Sequence, residues 1–93
     1  MVSNTRNQFI EAERIFKALA NRRRLAILHF LHKRAASVGD IAEHMRLSYP
    51  ATSRHLHALS AVDLIESRQT NTSIVYSVPK DKHLALEVAL KLF

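Results

Sequence analysis

Histidine and acidic side chains occur at three spacings that suit metal binding. His55 and His57 lie two apart, His29 and His32 three apart, and Asp81-Lys82-His83 forms an Asp-x-His. A stable zinc site takes about four ligands in a tetrahedral array. On a helix, residues two apart point ~200° away from each other, so His55 and His57 cannot share an ion. His55 is expected at the edge of a helical core and His57 in solvent. His29 and His32 can share a face, but no carboxylate lies near them in the sequence. Asp81 and His83 supply at most two ligands per chain. The expectation is therefore no metal and no cofactor. Asp81 and His83 remain as a weak pair at the start of a last helix, where a carboxylate in the first turn also suits the helix dipole.

Basic residues carry a stronger signal. Between Arg14 and Gly39 the chain holds Arg14, Lys17, Arg22, Arg23, Arg24, Lys33 and Arg34 with no acidic residue, and its formal net charge is +6. Such an excess suits a polyanion; a merely solvated basic face is the plainer alternative. Catalysis finds no support. The chain has one glycine and scattered carboxylates, with no phosphate-cradling loop, nucleophile elbow or zinc-protease pattern, so it is not expected to be an enzyme. With no cysteine, disulfides, thiolate metal sites and thiol redox sensing are excluded. No apolar run reaches the ~18–20 residues that span a bilayer. The N-terminal MVSNTRNQF has no apolar signal segment. No membrane partner is expected, and a cytoplasmic location is.

Helical periodicity supplies most of the scaffold for these side chains. From about Thr5 to Ala20, Phe9, Ile10, Phe16 and Leu19 recur at helical spacing. Asn21 is a predicted N-cap for RRRLAILHFLH, with Leu25, Leu28 and Leu31 as an inner stripe widened by Ile27 and Phe30. Ser37 and Asp40 make a capping-box-like start for the short helix VGDIAEHM. Ser48 is a predicted N-cap, and Pro50 falls in the first turn of a helix from Tyr49 to about Ala61, with Thr52, Leu56 and Leu59 facing inward. Two short helices joined by a tight turn make a helix-turn-helix. The period then becomes that of strands at 64–68 (LIESR) and 73–78 (SIVYSV), joined by QTNT, where Asn71 tolerates positive φ.

The expected fold is mainly α with a small β-hairpin: a winged helix-turn-helix of about five helices and a two-stranded wing, in a single domain over residues 1–93. The segment KDKHLALEVALKLF reads as a C-terminal helix at about 80–93, and eight of its final ten residues are apolar. A domain of this size cannot bury such a helix on all sides, and an exposed apolar face marks an association surface. A homodimer is expected, with the first and last helices meeting at a two-fold interface through Phe9, Leu84, Val88 and Leu92.

Four stretches, FKALANRRRLAIL, SVGDIAEHM, LSYPATSRHLHAL and LIESRQTNTSIVYSV, resemble in order and spacing the ArsR/SmtB-type winged-helix repressors of bacteria and archaea. The similarity covers about residues 14–78, and the C-terminal helix fits the family's last helix. Three features depart from the family pattern. The glycine usual after the recognition helix falls at Asp63, and the wing's usual glycine is replaced by Asn71. The Cys-x-Cys of arsenic- and cadmium-type members falls at Ser37 and Gly39, so that soft-metal site is absent. Asp81-Lys82-His83 matches the first half of the ligand set of zinc-type members, whose second half would begin just past Phe93.

The resemblance implies a homodimeric transcription regulator, a repressor, that binds double-stranded DNA at an inverted-repeat operator. Recognition helices present their N-terminal residues to base edges in the major groove. The base-contact candidates are Tyr49, Pro50, Ser53 and Arg54, with His57 further along; Arg54 suits bidentate pairing with guanine, worth ~1–3 kcal/mol of discrimination. The phosphate and wing candidates are Arg22, Arg23, Arg24, Arg46, Ser48, Arg68, Gln69 and Asn71, with one of the three consecutive arginines expected to pair internally. The inducing ligand or partner is not legible. Two other classes stay open: an architectural DNA-binding protein of little sequence preference, and a winged-helix module that docks a protein.

Overall fold

Short polar side chains decide where the helices begin in the computed structural model, which describes residues 5–93. Residues 1–4, part of the stretch read for a signal segment, lie outside it. After α1 (Thr5–Leu19), Asn21 Oδ1 accepts from the backbone N–H groups of Arg23 and Arg24 at 3.0 and 3.1 Å and starts α2 (Arg22–Lys33). Ser37 Oγ accepts from Asp40 N–H at 3.2 Å at the head of α3 (Val38–Met45). Ser48 Oγ accepts from Ala51 N–H at 3.2 Å at the head of α4 (Tyr49–Ala61). Each such cap is worth about 1 kcal/mol. Pro50 sits in the first turn of α4, where the helix needs no amide hydrogen.

Both helices of the helix-turn-helix end in a left-handed residue that is not glycine: Arg46 at φ 57° and Asp63 at φ 58°. The chain doubles back in the same way at each. Leu47 N–H reaches Ala42 O at 3.0 Å while Arg46 N–H reaches Glu43 O at 3.2 Å; Leu64 N–H reaches Leu59 O and Asp63 N–H reaches Ser60 O, each at 3.0 Å. These paired bonds satisfy end carbonyls and offset the ~1–2 kcal/mol that a left-handed residue with a Cβ costs. Asp63 thus takes the conformation expected of the position where the family places glycine.

The core forms around α2. Ile27, Leu28 and Leu31 are buried against Ile41 of α3, Leu56 and Leu59 of α4, and Leu64. Ile27 rather than the half-buried Leu25 completes the inner stripe. From α1, Ile15, Ala18 and Leu19 are buried, whereas Phe9, Ile10 and Phe16 are exposed. Thr52, fully buried beneath α4, donates from Oγ1 to Ser48 O at 2.9 Å, so its hydroxyl is satisfied.

The sheet holds β1 (Ala36–Ser37), β2 (Glu66–Gln69) and β3 (Ile74–Ser77) in the order β1-β3-β2, all antiparallel. The β2–β3 hairpin is the expected wing, and β1 adds a third strand by pairing Ala36 with Tyr76 and Ser37 with Val75. Leu64 and Ile65, predicted to open the first wing strand, are instead buried in the turn after Asp63. The last helix, α5 (Leu84–Leu90), starts later than the expected 80–93 because His83 caps it: His83 Nδ1 accepts from Ala85 N–H at 3.1 Å. Asp81 therefore precedes the helix rather than occupying its first turn. Leu86 and Ala89 seat α5 on the core, leaving Leu84, Val88 and Leu92 exposed. No described helix is long and apolar enough to cross a membrane.

Candidate nucleic-acid interface

Helical periodicity divides α4 into two faces. Thr52, Leu56 and Leu59 are buried, as predicted. Tyr49, Ser53 and His57, at i, i+4 and i+8, form one exposed row, and Pro50 and Arg54 form the adjoining one. All five base-contact candidates therefore lie in solvent on the side of α4 away from the core, with Ser48 at their head. Side chains lean toward a helix N-terminus, so this row is offered at the end of α4 that a groove would meet first.

Arginines surround this helix without carboxylate partners. The ion pairs among the described residues lie on α1, Glu11–Arg14 at 3.1 Å and Glu13–Lys17 at 3.8 Å, and none involves Arg22, Arg23, Arg24, Arg46, Arg54 or Arg68. Arg22 and Arg23 are exposed, while Arg24 is half-buried and donates from Nε to Nδ1 of His55 at 3.2 Å. Arg24 is thus the internally paired member of the trio. Its partner is neutral, so its charge is held in place rather than cancelled. The bond needs an unprotonated Nδ1, and the surroundings keep it so. Burial, then the guanidinium groups of Arg24, Arg23 and Arg54, hold the pKa of His55 below its usual 6.5. His55 sits at the core edge and His57 in solvent, as helix geometry requires. The arginine–histidine contact spans 31 positions, and no local motif announces it.

Arg46 is exposed at the turn between α3 and α4, and Arg68 and Gln69 are exposed on β2. Asn71 is exposed at the wing tip, but it does not take the positive φ expected of a glycine substitute. A side chain closes the hairpin instead. Thr70 N–H donates to Ser73 O at 2.8 Å, and Ser73 N–H returns to Thr70 Oγ1 at 3.1 Å rather than to a carbonyl. Replacing the carbonyl with a hydroxyl removes the need for the left-handed pair that tight two-residue loops usually require.

The candidate metal residues do not assemble. Among the described residues, no three histidine or acidic side chains come together to hold an ion. His83 Nδ1 is taken by the Ala85 amide. His29 packs edge-on against Phe93, with ring centroids 5.0 Å apart, while His32 is exposed. Within one chain this donor set does not fit a zinc ion.

The charged edge, the helix-turn-helix and the wing have a counterpart in known sequences. Residues 21–67 match the family described as bacterial regulatory protein, arsR family. The chain belongs to the ArsR family. The transcriptional repressor SdpR of Bacillus subtilis is 36% identical over 64 residues, covering 69% of this chain and 71% of the repressor. The nodulation protein NolR of Rhizobium meliloti is 40% identical over 73 residues, covering 78% of this chain but 60% of NolR. In three dimensions the chain is similar to Mb0332 from Mycobacterium bovis, described as a homodimeric winged helix-turn-helix DNA-binding domain. The TM-score is 0.83 at 27% identity, over 99% of this chain and 82% of that one. As an ArsR-family member with this architecture, the chain is a DNA-binding transcription regulator.

Proposed function

We propose that the chain works as a homodimeric repressor of an inverted-repeat operator in the cytoplasm. α4 of each protomer enters the major groove, and the wing follows the adjacent minor groove. The observation that carries this reading is the exposed row of Tyr49, Pro50, Ser53, Arg54 and His57 on the core-distal side of α4, flanked by arginines that no carboxylate neutralises. Arg54 pairs with guanine, and Ser53 bonds a base or a phosphate. Arg22, Arg23, Arg24, Arg46, Ser48, Arg68, Gln69 and Asn71 position the duplex. The dimer forms where α1 and α5 leave large apolar side chains in solvent: Phe9 (70% exposed), Leu84 (71%) and Leu92 (78%), with Val88 beside them. A groove of about 310 Å³ on this face, lined by Phe16, Leu25, Val88 and Leu92 among others, receives the partner's side chains. The two-fold axis sets half-sites about 34 Å apart, one helical turn.

Competition binding tests the reading. The upstream region of the chain's own operon should outcompete random-sequence DNA by a factor of at least ~10³. Equal competition would make this an architectural DNA-binding protein. No affinity for either duplex at ~50 mM salt would favour a protein-docking module.

A further inference from the structure

A cleft of about 370 Å³ opens between the two elements assigned to the two grooves. One wall is Tyr49, the first residue of α4; the opposite wall is the wing from Thr72 to Ile74. Its floor is the start of α3, with Ser37 and Gly39, and the ring of Tyr76 on β3. None of these residues is charged.

Three features of the floor have no explanation inside the protein. Gly39 is the one glycine of the chain. It lies within α3, its φ is not left-handed, and a Cβ there would meet only Ser37 Oγ, at 3.9 Å. Glycine inside a helix is less stable than almost any replacement, so neither conformation nor packing asks for it. What it provides is room for something outside the protein to approach the backbone closely. The Tyr76 ring packs against the core, yet its hydroxyl has no hydrogen-bond partner among the described residues. Ser37 Oγ accepts from Asp40 N–H, and its own proton is not used in that bond.

We propose that this cleft seats the sugar–phosphate strand of the bound duplex that divides the major groove read by α4 from the minor groove followed by the wing. In this arrangement the hydroxyls of Tyr76 and Ser37 donate to phosphate oxygens, and Gly39 keeps the wall open for the deoxyribose. The inference rests on the placement of α4 and wing given under Proposed function. A strand that divides two grooves must pass between the elements that occupy them, and this cleft is continuous with both. Its lining suits that occupant: hydroxyls for the phosphate, with Val38, Ile74 and the tyrosine rings for the apolar faces of the sugars. Because the donors are neutral, the contact adds affinity without releasing counterions, unlike the arginine contacts around it.

The test measures affinity for the operon's upstream duplex and for a random-sequence duplex across a salt series. Tyr76→Phe keeps the ring and removes only the hydroxyl. Gly39→Leu fills the cleft without meeting protein atoms. Each should weaken binding to both duplexes by about tenfold, the worth of a hydrogen bond to a charged group, and leave the slope of affinity against salt unchanged. Arg68→Ala, the reference, should reduce that slope by about 0.9. Gly39→Leu should also melt no lower than the unsubstituted protein; if it does melt lower, Tyr76→Phe alone decides. Unchanged affinity in Tyr76→Phe overturns the proposal, as does a loss confined to the upstream duplex, which would mean a base contact. An unsubstituted chain that binds neither duplex overturns the regulator reading itself and this inference with it.

Discussion

The outer side of α4 and the face shared by α1 and α5 are equally open to solvent, yet they are built from opposite materials. Around α4 the exposed groups are hydroxyls, an imidazole and arginines without carboxylate partners. On α1 and α5 they are Phe9, Phe16, Leu84, Val88 and Leu92, and the charges of α1 are already paired as Glu11–Arg14 and Glu13–Lys17. Unpaired like charges resist being buried against anything but an opposite charge, and exposed apolar area resists staying in water. Each face thus specifies its partner by what it leaves unsatisfied: a polyanion for one, a second apolar surface for the other.

The comparison breaks most sharply at α5. Val88→Asp puts a charge into the apolar face and should weaken self-association by roughly 3–5 kcal/mol, the penalty of an uncompensated buried charge. Sedimentation of an unchanged dimer would remove α5 from the interface. Arg54→Ala should cost ~1–3 kcal/mol of specific binding while leaving random-sequence affinity nearly intact. An equal loss on both duplexes would move Arg54 from base to phosphate. Asp63→Gly belongs to neither face. Relieving its left-handed Cβ should raise stability by about 1 kcal/mol, read from the denaturant midpoint, with DNA affinity and dimerisation unchanged. The smallest effect concerns the crowding of guanidinium groups about His55. Its pKa is lowered on folding, so the unfolded chain takes up the proton first as pH falls below 6.5, and stability should decline there. A His55→Gln variant should show a flatter decline between about pH 7 and pH 5. A decline of the same steepness would mean that other groups carry it.

Much of the helix-turn-helix was legible because its determinants are local. Asn21, Ser37 and Ser48 cap within three residues of themselves, Pro50 marks a first turn, and Thr52, Leu56 and Leu59 repeat at helical spacing. The misses required partners distant in the sequence. β1 is two residues long and exists because β3 pairs with it some forty positions later. Leu64 and Ile65 have strand-like side chains, but the core takes them first. The wing tip looked like a turn in want of a left-handed residue, and the Thr70 hydroxyl made one unnecessary. The α5 boundary moved because His83, read as a metal ligand, acts as a cap. Within the candidate interface, residue types and helical faces could be read from the sequence. The Arg24–His55 bond and the cleft at Gly39 and Tyr76 could not, since each joins segments that only folding brings together.

Ser37 is at once the last residue of β1, paired with Val75 of the wing, and the cap of α3. One residue therefore rivets the wing to the helix-turn-helix, and Leu64 rivets it again at the far end of α4. The protomer behaves like a calliper with a fixed jaw: the gap between α4 and the wing is set by backbone bonds. A signal that loosens the regulator from DNA has no slack to exploit within that gauge. It must act on the setting between two gauges, at the apolar face where the protomers meet.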